Sequence, residues 1–195
     1  MKQSEFGIQS NRRTFLKKGA LAGGAAILLL ILYFGTPSFA KPGDSQDLGD
    51  TVTQAGLFSY QAPKGWAVKS TPLSKYDVAV DAPRNNFVAN INVVVESFPD
   101  SLAKYVSLNK QYVAASGVYT VFQVADEQPF ETSTGAKGVR LVAKDQLNKQ
   151  DMQQIFYFFE GSSNNKFVVT ASCLAGDGAQ YAPVFDASVK TFSPQ

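Results

Sequence analysis

Carboxylates are the side chains through which this sequence offers chemistry, because the 195-residue chain contains no histidine and only one cysteine. Serine–histidine–aspartate triads, cysteine–histidine pairs and histidine-ligated zinc are therefore excluded. Asp77 and Asp81 flank the apolar stretch 78–80, and their spacing allows both to lie on one side of a strand. Such a pair would suit acid–base catalysis or calcium binding. The alternative, which we favour, is two solvated residues that flank a hairpin.

Other acidic residues give no stronger catalytic pattern. Asp126, Glu127 and Glu131 form a cluster that we interpret as loop surface, and the segment 176–178 (Gly-Asp-Gly) lacks the regularly spaced oxygen ligands of a calcium loop. No glycine-rich phosphate-binding loop follows a strand. We therefore predict a protein that is not an enzyme, with no catalytic residue, no metal ligand and no cofactor. An enzyme that uses carboxylates alone is the competing hypothesis.

Positive charge is concentrated at the N-terminus of the chain. Residues 1–40 contain five of the 18 Lys and Arg residues and one of the 16 acidic residues, so the remainder has 13 basic and 15 acidic side chains. This balance is not typical of a nucleic-acid-binding domain, which needs a basic patch or stripe. No nucleic-acid partner is expected.

The N-terminal sequence resembles a twin-arginine export signal. An arginine pair precedes the Phe-Leu-Lys element of that signal, and the residues concerned are Arg12, Arg13, Phe15, Leu16 and Lys17. Since this signal is an address read by a receptor, the twin-arginine translocase is an expected partner during export. The predicted destination is the periplasm or the thylakoid lumen.

A cleavage site is predicted at the end of this segment. An uncharged run over residues 19–35 is followed by small residues at Ser38 and Ala40, which favours cleavage before Lys41. Residues 1–40 are thus expected to be a signal peptide. An uncleaved membrane anchor is the alternative, because the 17 uncharged residues reach the lower end of what spans a bilayer, about 17–25 residues.

The rest of the chain is predicted to be one α+β domain. Residues 41–55 are polar and rich in Gly and Asp, and we interpret them as a flexible leader before a domain over residues 56–195. The order of patterns in that domain is a strand pair, a third strand, a helix that begins at Asp100 or Ser101, a meander of about four strands, and a last helix. Strands joined by hairpins, with few helices, indicate a largely antiparallel sheet flanked by helices on both faces.

The stretch Phe87–Phe98 shows the clearest alternation. Its apolar residues fall on one face, whereas Asn90, Asn92 and Glu96 fall mostly on the other, which would face water, a covering helix or a partner. Alternation in a second strand-like run places Cys173 on the apolar face, so we interpret the thiol as a small buried hydrophobe.

Aromatic residues make up 12% of the chain, and they are the other candidates for a contact surface. Trp66 follows a Pro-x-Gly turn and is predicted to fill the core. Tyr76, Tyr105 and Tyr112 are compatible with either the core or a contact surface, and Tyr105 and Tyr112 share an apolar stripe of the first helix.

These features together resemble the PsbP family over about residues 56–193. The motif residues that carry the resemblance are Phe58, Tyr60, Pro63, Gly65, Trp66, Asn90, Asn92, Val189 and Phe192. The resemblance implies a PsbP-like α/β/α sandwich that acts as an extrinsic subunit or assembly factor of a membrane complex. PsbP itself lies on the lumenal face of photosystem II and supports calcium and chloride retention there. Because this chain lacks histidine, no ligand residue is carried over from the family, and because it has no cysteine near residue 40, a lipoprotein anchor is not expected.

The functional expectation rests on that resemblance. A monomeric extracytoplasmic domain is expected to dock on the periplasmic or lumenal side of a membrane protein complex and to help it assemble or remain stable. Photosystem II is the expected complex if the organism is photosynthetic. The alternative is a periplasmic carrier or sensor with a small ligand between sheet and helix.

Overall fold

Alternating apolar residues build one large antiparallel sheet in the computed structural model, which describes residues 47–195. Its order is β3-β4-β5-β9-β8-β7-β6, and a smaller sheet has the order β1-β2-β10. The strands are β1 Leu48–Gln54, β2 Phe58–Pro63, β3 Ala67–Lys69, β4 Val78–Val80, β5 Asn90–Ser97, β6 Val121–Glu131, β7 Lys137–Leu147, β8 Gln150–Glu160, β9 Asn165–Leu174 and β10 Ser193–Pro194. The helices are α1 Leu102–Ala115 and α2 Gly178–Lys190. No helix of the described part is long and apolar enough to cross a membrane.

Both faces of the large sheet are covered, which confirms the expected arrangement of layers. On one face, here called the α2 side, β2 and α2 pack on the sheet with Phe58, Tyr60 and Phe185 in one aromatic core. On the other, the α1 side, Tyr105 and Val106 of α1 pack on a second core. Strand β8 contributes to both, since its residues 155–159 are all buried and alternate between the two cores. This explains why its sequence is apolar without alternation.

Helix α1 begins and ends where the capping pattern predicts. The Ser101 side chain accepts a hydrogen bond from the Lys104 amide at 3.3 Å, and the chain after the helix turns at Gly117 with φ of +68°. Asn109 interrupts the apolar stripe but is fully buried, because its amide donates to the Tyr105 carbonyl at 2.9 Å. Tyr112, for which the sequence left open the core or a contact surface, is 38% exposed.

Two hairpins use tight turns whose central residues have positive φ. Asn85 and Asn86 connect β4 to β5, and Asn148 and Lys149 connect β7 to β8. Arg84 and Phe87 exchange backbone hydrogen bonds of 2.7 Å across the first turn. The long strand consequently starts at Asn90, three residues later than the alternation alone predicts.

Other boundaries also differ from the sequence prediction. The segment expected as a flexible leader up to residue 55 contains β1, whose residues pair with β2 from Leu48 onward. The sequence Asp-Glu-Gln-Pro at residues 126–129 predicts either a break or a bulge, and β6 has a bulge beside it, where the register shifts between Val124 and Asp126. The polar loop expected at residues 145–149 is largely the end of β7, which continues to Leu147.

Candidate functional site

The two aspartates singled out by their spacing do not form a common site. Asp77 is exposed, whereas Asp81 is half-buried at the start of the β4–β5 connection. One Asp81 carboxylate oxygen accepts the Ala82 amide at 2.7 Å, and the other accepts the Tyr181 hydroxyl at 2.5 Å. The Asp81 carboxylate therefore holds α2 against the β4–β5 hairpin.

A small depression opens beside this hydrogen bond, between the hairpin and the start of α2. Its volume of about 10 Å³ suits about one water molecule. Its lining consists of Ala82, Arg84, Phe87, Ala89, Leu174, Asp177 and Tyr181. Burial, and then the Asp81 carboxylate, raise the pKa of the Tyr181 hydroxyl, so this hydroxyl remains a hydrogen-bond donor at neutral pH. The depression has charged groups, but it has no room for an organic substrate.

The aromatic motif near the start of the domain builds the core. Gly65 adopts φ of +83° in a turn closed by the Trp66 amide and the Pro63 carbonyl, 3.1 Å apart. This turn directs Trp66 inward, where its ring contacts Tyr181 and Phe185 at centroid distances of 6.2 and 6.0 Å. Trp66 is thus the core residue that the sequence predicted.

Two other motif residues, Phe58 and Tyr60, complete the same layer. The Phe58 ring stacks on Phe192 at 5.7 Å, and the Tyr60 hydroxyl donates to the Ile91 carbonyl at 3.4 Å. Both side chains are 1% exposed. The motif therefore joins the small sheet to the large one.

Asn90 and Asn92 lie under the α1 side of the sheet, with no exposed surface. The Asn90 amide donates to the Val88 carbonyl at 3.0 Å, and the Asn92 amide lies 3.4 Å from the Thr170 carbonyl. Of the alternatives left open by the sequence, burial within the sheet layers is the one observed. A solvent-exposed docking face at these two residues is excluded by their burial.

The acidic side chains of β6 are exposed and do not point to a common site; two of them form separate ion pairs. Glu127 forms a salt bridge with Lys110 of α1 at 2.7 Å, and Asp126 lies 3.6 Å from Arg140. The backbone carbonyl of Glu131, not its side chain, accepts the Lys190 ammonium. Among residues 47–195, no group of three or more Cys, Asp, Glu or His side chains is placed to hold a metal ion.

A buried charged cluster on the α2 side escaped the sequence analysis. Arg140 of β7 is 7% exposed, and its Nε donates to Asp186 of α2 at 2.8 Å. Tyr157 of β8 donates to the same carboxylate oxygen at 2.5 Å. Burial opposes the charge of Arg140, but Asp186 outweighs it and raises the pKa of the guanidinium. Its partners lie far apart in sequence, so local periodicity carried no signal for this cluster.

Cys173 is buried, as predicted, and chemically quiet. Burial raises the pKa of its thiol to about 12, so the reactive thiolate is not populated at neutral pH.

The predicted export signal and cleavage site lie outside the described residues. The signal residues are Arg12, Arg13, Phe15, Leu16 and Lys17, and the cleavage residues are Ser38, Ala40 and Lys41.

Comparison by sequence finds no matching family profile and no matching curated protein. Comparison by structure finds LpqN of Mycobacterium tuberculosis, which is involved in cell envelope biogenesis, with a TM-score of 0.57 at 12% identity over 85% of this chain and 90% of that one. Cyanobacterial PsbP from Synechocystis superposes with a TM-score of 0.52 at 11% identity, over 81% and 98% of the two chains. The Ran-binding protein Mog1p of Saccharomyces cerevisiae superposes with a TM-score of 0.52 at 13% identity, over 75% of this chain and 96% of that one.

These similarities concern the fold, since each identity is far below the level at which function is shared. They agree with an α+β domain of antiparallel sheets and two helices. The chain has the PsbP-like fold, as its sequence predicted.

Proposed function

We propose that the protein is a non-catalytic extracytoplasmic domain that docks on a membrane protein complex and helps it assemble or remain stable. The observation that carries this proposal is the PsbP-like fold, shared with a cyanobacterial PsbP and with a protein of cell envelope biogenesis. Photosystem II is the proposed partner in a photosynthetic organism, and an envelope complex is the proposed partner in any other.

The chemistry of the described residues supports a non-catalytic role. Two polar pairs, Asp81 with Tyr181 and Asp186 with Arg140, connect α2 to the rest of the domain. The depression beside Tyr181, with a volume of about 10 Å³, is too small for the organic ligand of a carrier. These contacts stabilise the fold and leave recognition to the outer surface.

The surface we propose for docking is the free edge of β6. This strand has 11 residues and lies at the end of the large sheet, with no strand on its outer side among the described residues. Val121 and Val124 are 51% and 37% exposed there. Because an edge strand presents unpaired backbone groups, its natural occupant is an extended segment of a subunit of the complex.

Affinity isolation from detergent-solubilised membranes of the native organism tests the proposal. Membrane subunits should co-purify in stoichiometric amounts and should dissociate at high salt, where exposed charges are screened. A Val121→Ser, Val124→Ser double variant should lose them. Leu73→Ser, at a side chain of comparable exposure (44%) outside β6, should retain them. Recovery of the domain alone with a bound small molecule would contradict the docking role.

Export is tested separately from docking. Replacing Arg12 and Arg13 by Lys should leave the precursor in the cytoplasm, whereas Lys18→Arg, outside the arginine pair, should be exported normally. Mass spectrometry of the exported protein should give an N-terminus at Lys41. An intact N-terminus in the membrane fraction would favour the anchored form.

A further inference from the structure

Asp145 is a buried carboxylate that has no hydrogen-bond partner among residues 47–195. It lies near the end of β7 with 4% of its surface exposed, and neither carboxylate oxygen contacts a donor among the described residues. An ionised carboxylate in such surroundings is strongly disfavoured, because nothing replaces its lost hydration. Burial accordingly raises the pKa of Asp145 to about 8.

Tyr119 lies across this carboxylate. Its ring contacts Phe122 of β6 at a centroid distance of 5.8 Å, and its hydroxyl donates to the Gln154 side chain of β8 at 2.8 Å. Strand β7 lies between β6 and β8, and Asp145 is the register partner of Phe122. The Tyr119 side chain therefore crosses β7 at the level of Asp145, on the same side of the sheet.

The segment that carries Tyr119 is held by few bonds. Its backbone is joined to β7 by the Thr120 amide and the Gln146 carbonyl, 2.9 Å apart. Gly117, at a positive φ, connects it to the end of α1. Apart from the bond between Tyr119 and Gln154, its other hydrogen bonds are local to the end of α1, so a movement of residues 116–120 breaks few hydrogen bonds to the sheet.

The groups around Asp145 do not compensate its charge. Tyr119 and Cys173 couple to it electrostatically, and burial raises the pKa of both, so both are neutral at physiological pH. The neighbouring strands present Phe122 and Met152 as its register partners. No salt bridge to Asp145 exists among residues 47–195.

We propose that Asp145 and Tyr119 form a proton-controlled latch over the end of β7. With Asp145 protonated, Tyr119 lies closed and fixes the start of β6. Loss of the proton demands hydration of the carboxylate, and residues 116–120 move away to admit water. The start of β6 contains Val121 and Val124, so the latch adjusts the surface that we propose for docking.

The sign of the pH dependence follows from proton binding. The closed state holds the Asp145 proton up to a pKa of about 8, whereas the open state releases it near the ordinary value of 3.8. The closed state is therefore fully favoured below pH 3.8 and loses stability as pH rises through this window. Opening increases up to tenfold per pH unit and levels off above about pH 8.

Hydrogen exchange of the full-length chain, read by mass spectrometry at pH 5.5 and 7.5 and corrected for the intrinsic rates, tests the latch. Peptides over residues 116–122 should lose protection at pH 7.5 by at least about tenfold, against a limit of about 100-fold for two pH units. Asp145→Asn should abolish this response. Asp151→Asn, at an exposed carboxylate of the same hairpin, should preserve it.

A second variant keeps the proposal testable if Asp145→Asn fails to fold. Tyr119→Phe retains the ring but loses the bond to Gln154, so it should reduce protection at both pH values and keep the pH response. Protection that is equal at the two pH values in the wild-type chain would overturn the latch. A response in Asp145→Asn equal to that of the wild type would overturn it as well.

Discussion

Asp186 is a polar residue on the α2 side of the sheet whose loss should be costly. One oxygen of its carboxylate accepts bonds from Arg140 of β7 and Tyr157 of β8, so it joins α2 to two strands. In Asp186→Ala, a guanidinium whose side chain is 9% exposed loses its main partner. The buried Tyr157 hydroxyl loses its acceptor at the same time.

The expected loss in the free energy of unfolding depends on how exposed the ion pair is. Breaking a buried ion pair from one side costs about 3–5 kcal/mol, because the remaining charge has no compensation. The Asp186 side chain is 35% exposed, so part of its contribution is screened by solvent, and we expect about 2–4 kcal/mol. With a urea m-value of about 2 kcal/mol per molar, the unfolding midpoint should fall by about 1–2 M.

Asp126→Ala is the matched control, since Asp126 contacts the same guanidinium from the exposed side. Its distance to Arg140 is 3.6 Å and its side chain is 52% exposed, so its loss should cost at most about 1 kcal/mol. Urea unfolding followed by far-ultraviolet circular dichroism measures both variants. An Asp186→Ala midpoint no lower than that of Asp126→Ala would refute this account of the cluster.

Three further perturbations follow from the packing. Lys166→Met should lower the free energy of unfolding by about 1–3 kcal/mol in the same urea assay, because the fully buried ammonium donates to a backbone carbonyl and to a carboxylate. Cys173 should remain unmodified by thiol reagents in the native protein and react after unfolding, since burial raises its pKa to about 12. Gly138→Ala should destabilise by about 1–3 kcal/mol, because its Cβ would lie 2.3 Å from the Phe158 carbonyl; Gly176→Ala, with open space, should be close to neutral.

Local patterns predicted the elements that depend on neighbouring residues. The alternation before Pro99 and the Ser101 cap located β5 and α1, because these signals act within a few residues. The small sheet was missed for the opposite reason. Strand β1 buries Val52 as its one fully buried residue, and β10 is two residues long, so both are strands through pairing with β2 rather than through their own pattern.

The contacts of the candidate site depend even more on residues that are distant in sequence. Alternation placed Asn90 and Asn92 on the face opposite to the apolar residues, but it cannot say whether a helix covers that face. Arg140 and Asp186 are 46 residues apart, and their pairing exists only once α2 packs on the sheet. The polar sequence around Asp145 predicted a loop, whereas the residue lies in β7 and is buried.

The covered sheet limits where a partner can bind. One face of the large sheet packs on β2 and α2 and the other on α1, so the central strands present neither face to another protein. Of its two edges, β3 has three residues and β6 has 11, which makes β6 the longer template for pairing. The bulge between Val124 and Asp126 interrupts this edge, and Pro129 beyond the bulge has no backbone N–H to donate. The first half, next to Tyr119 and Asp145, is therefore where docking and its control by protons should meet.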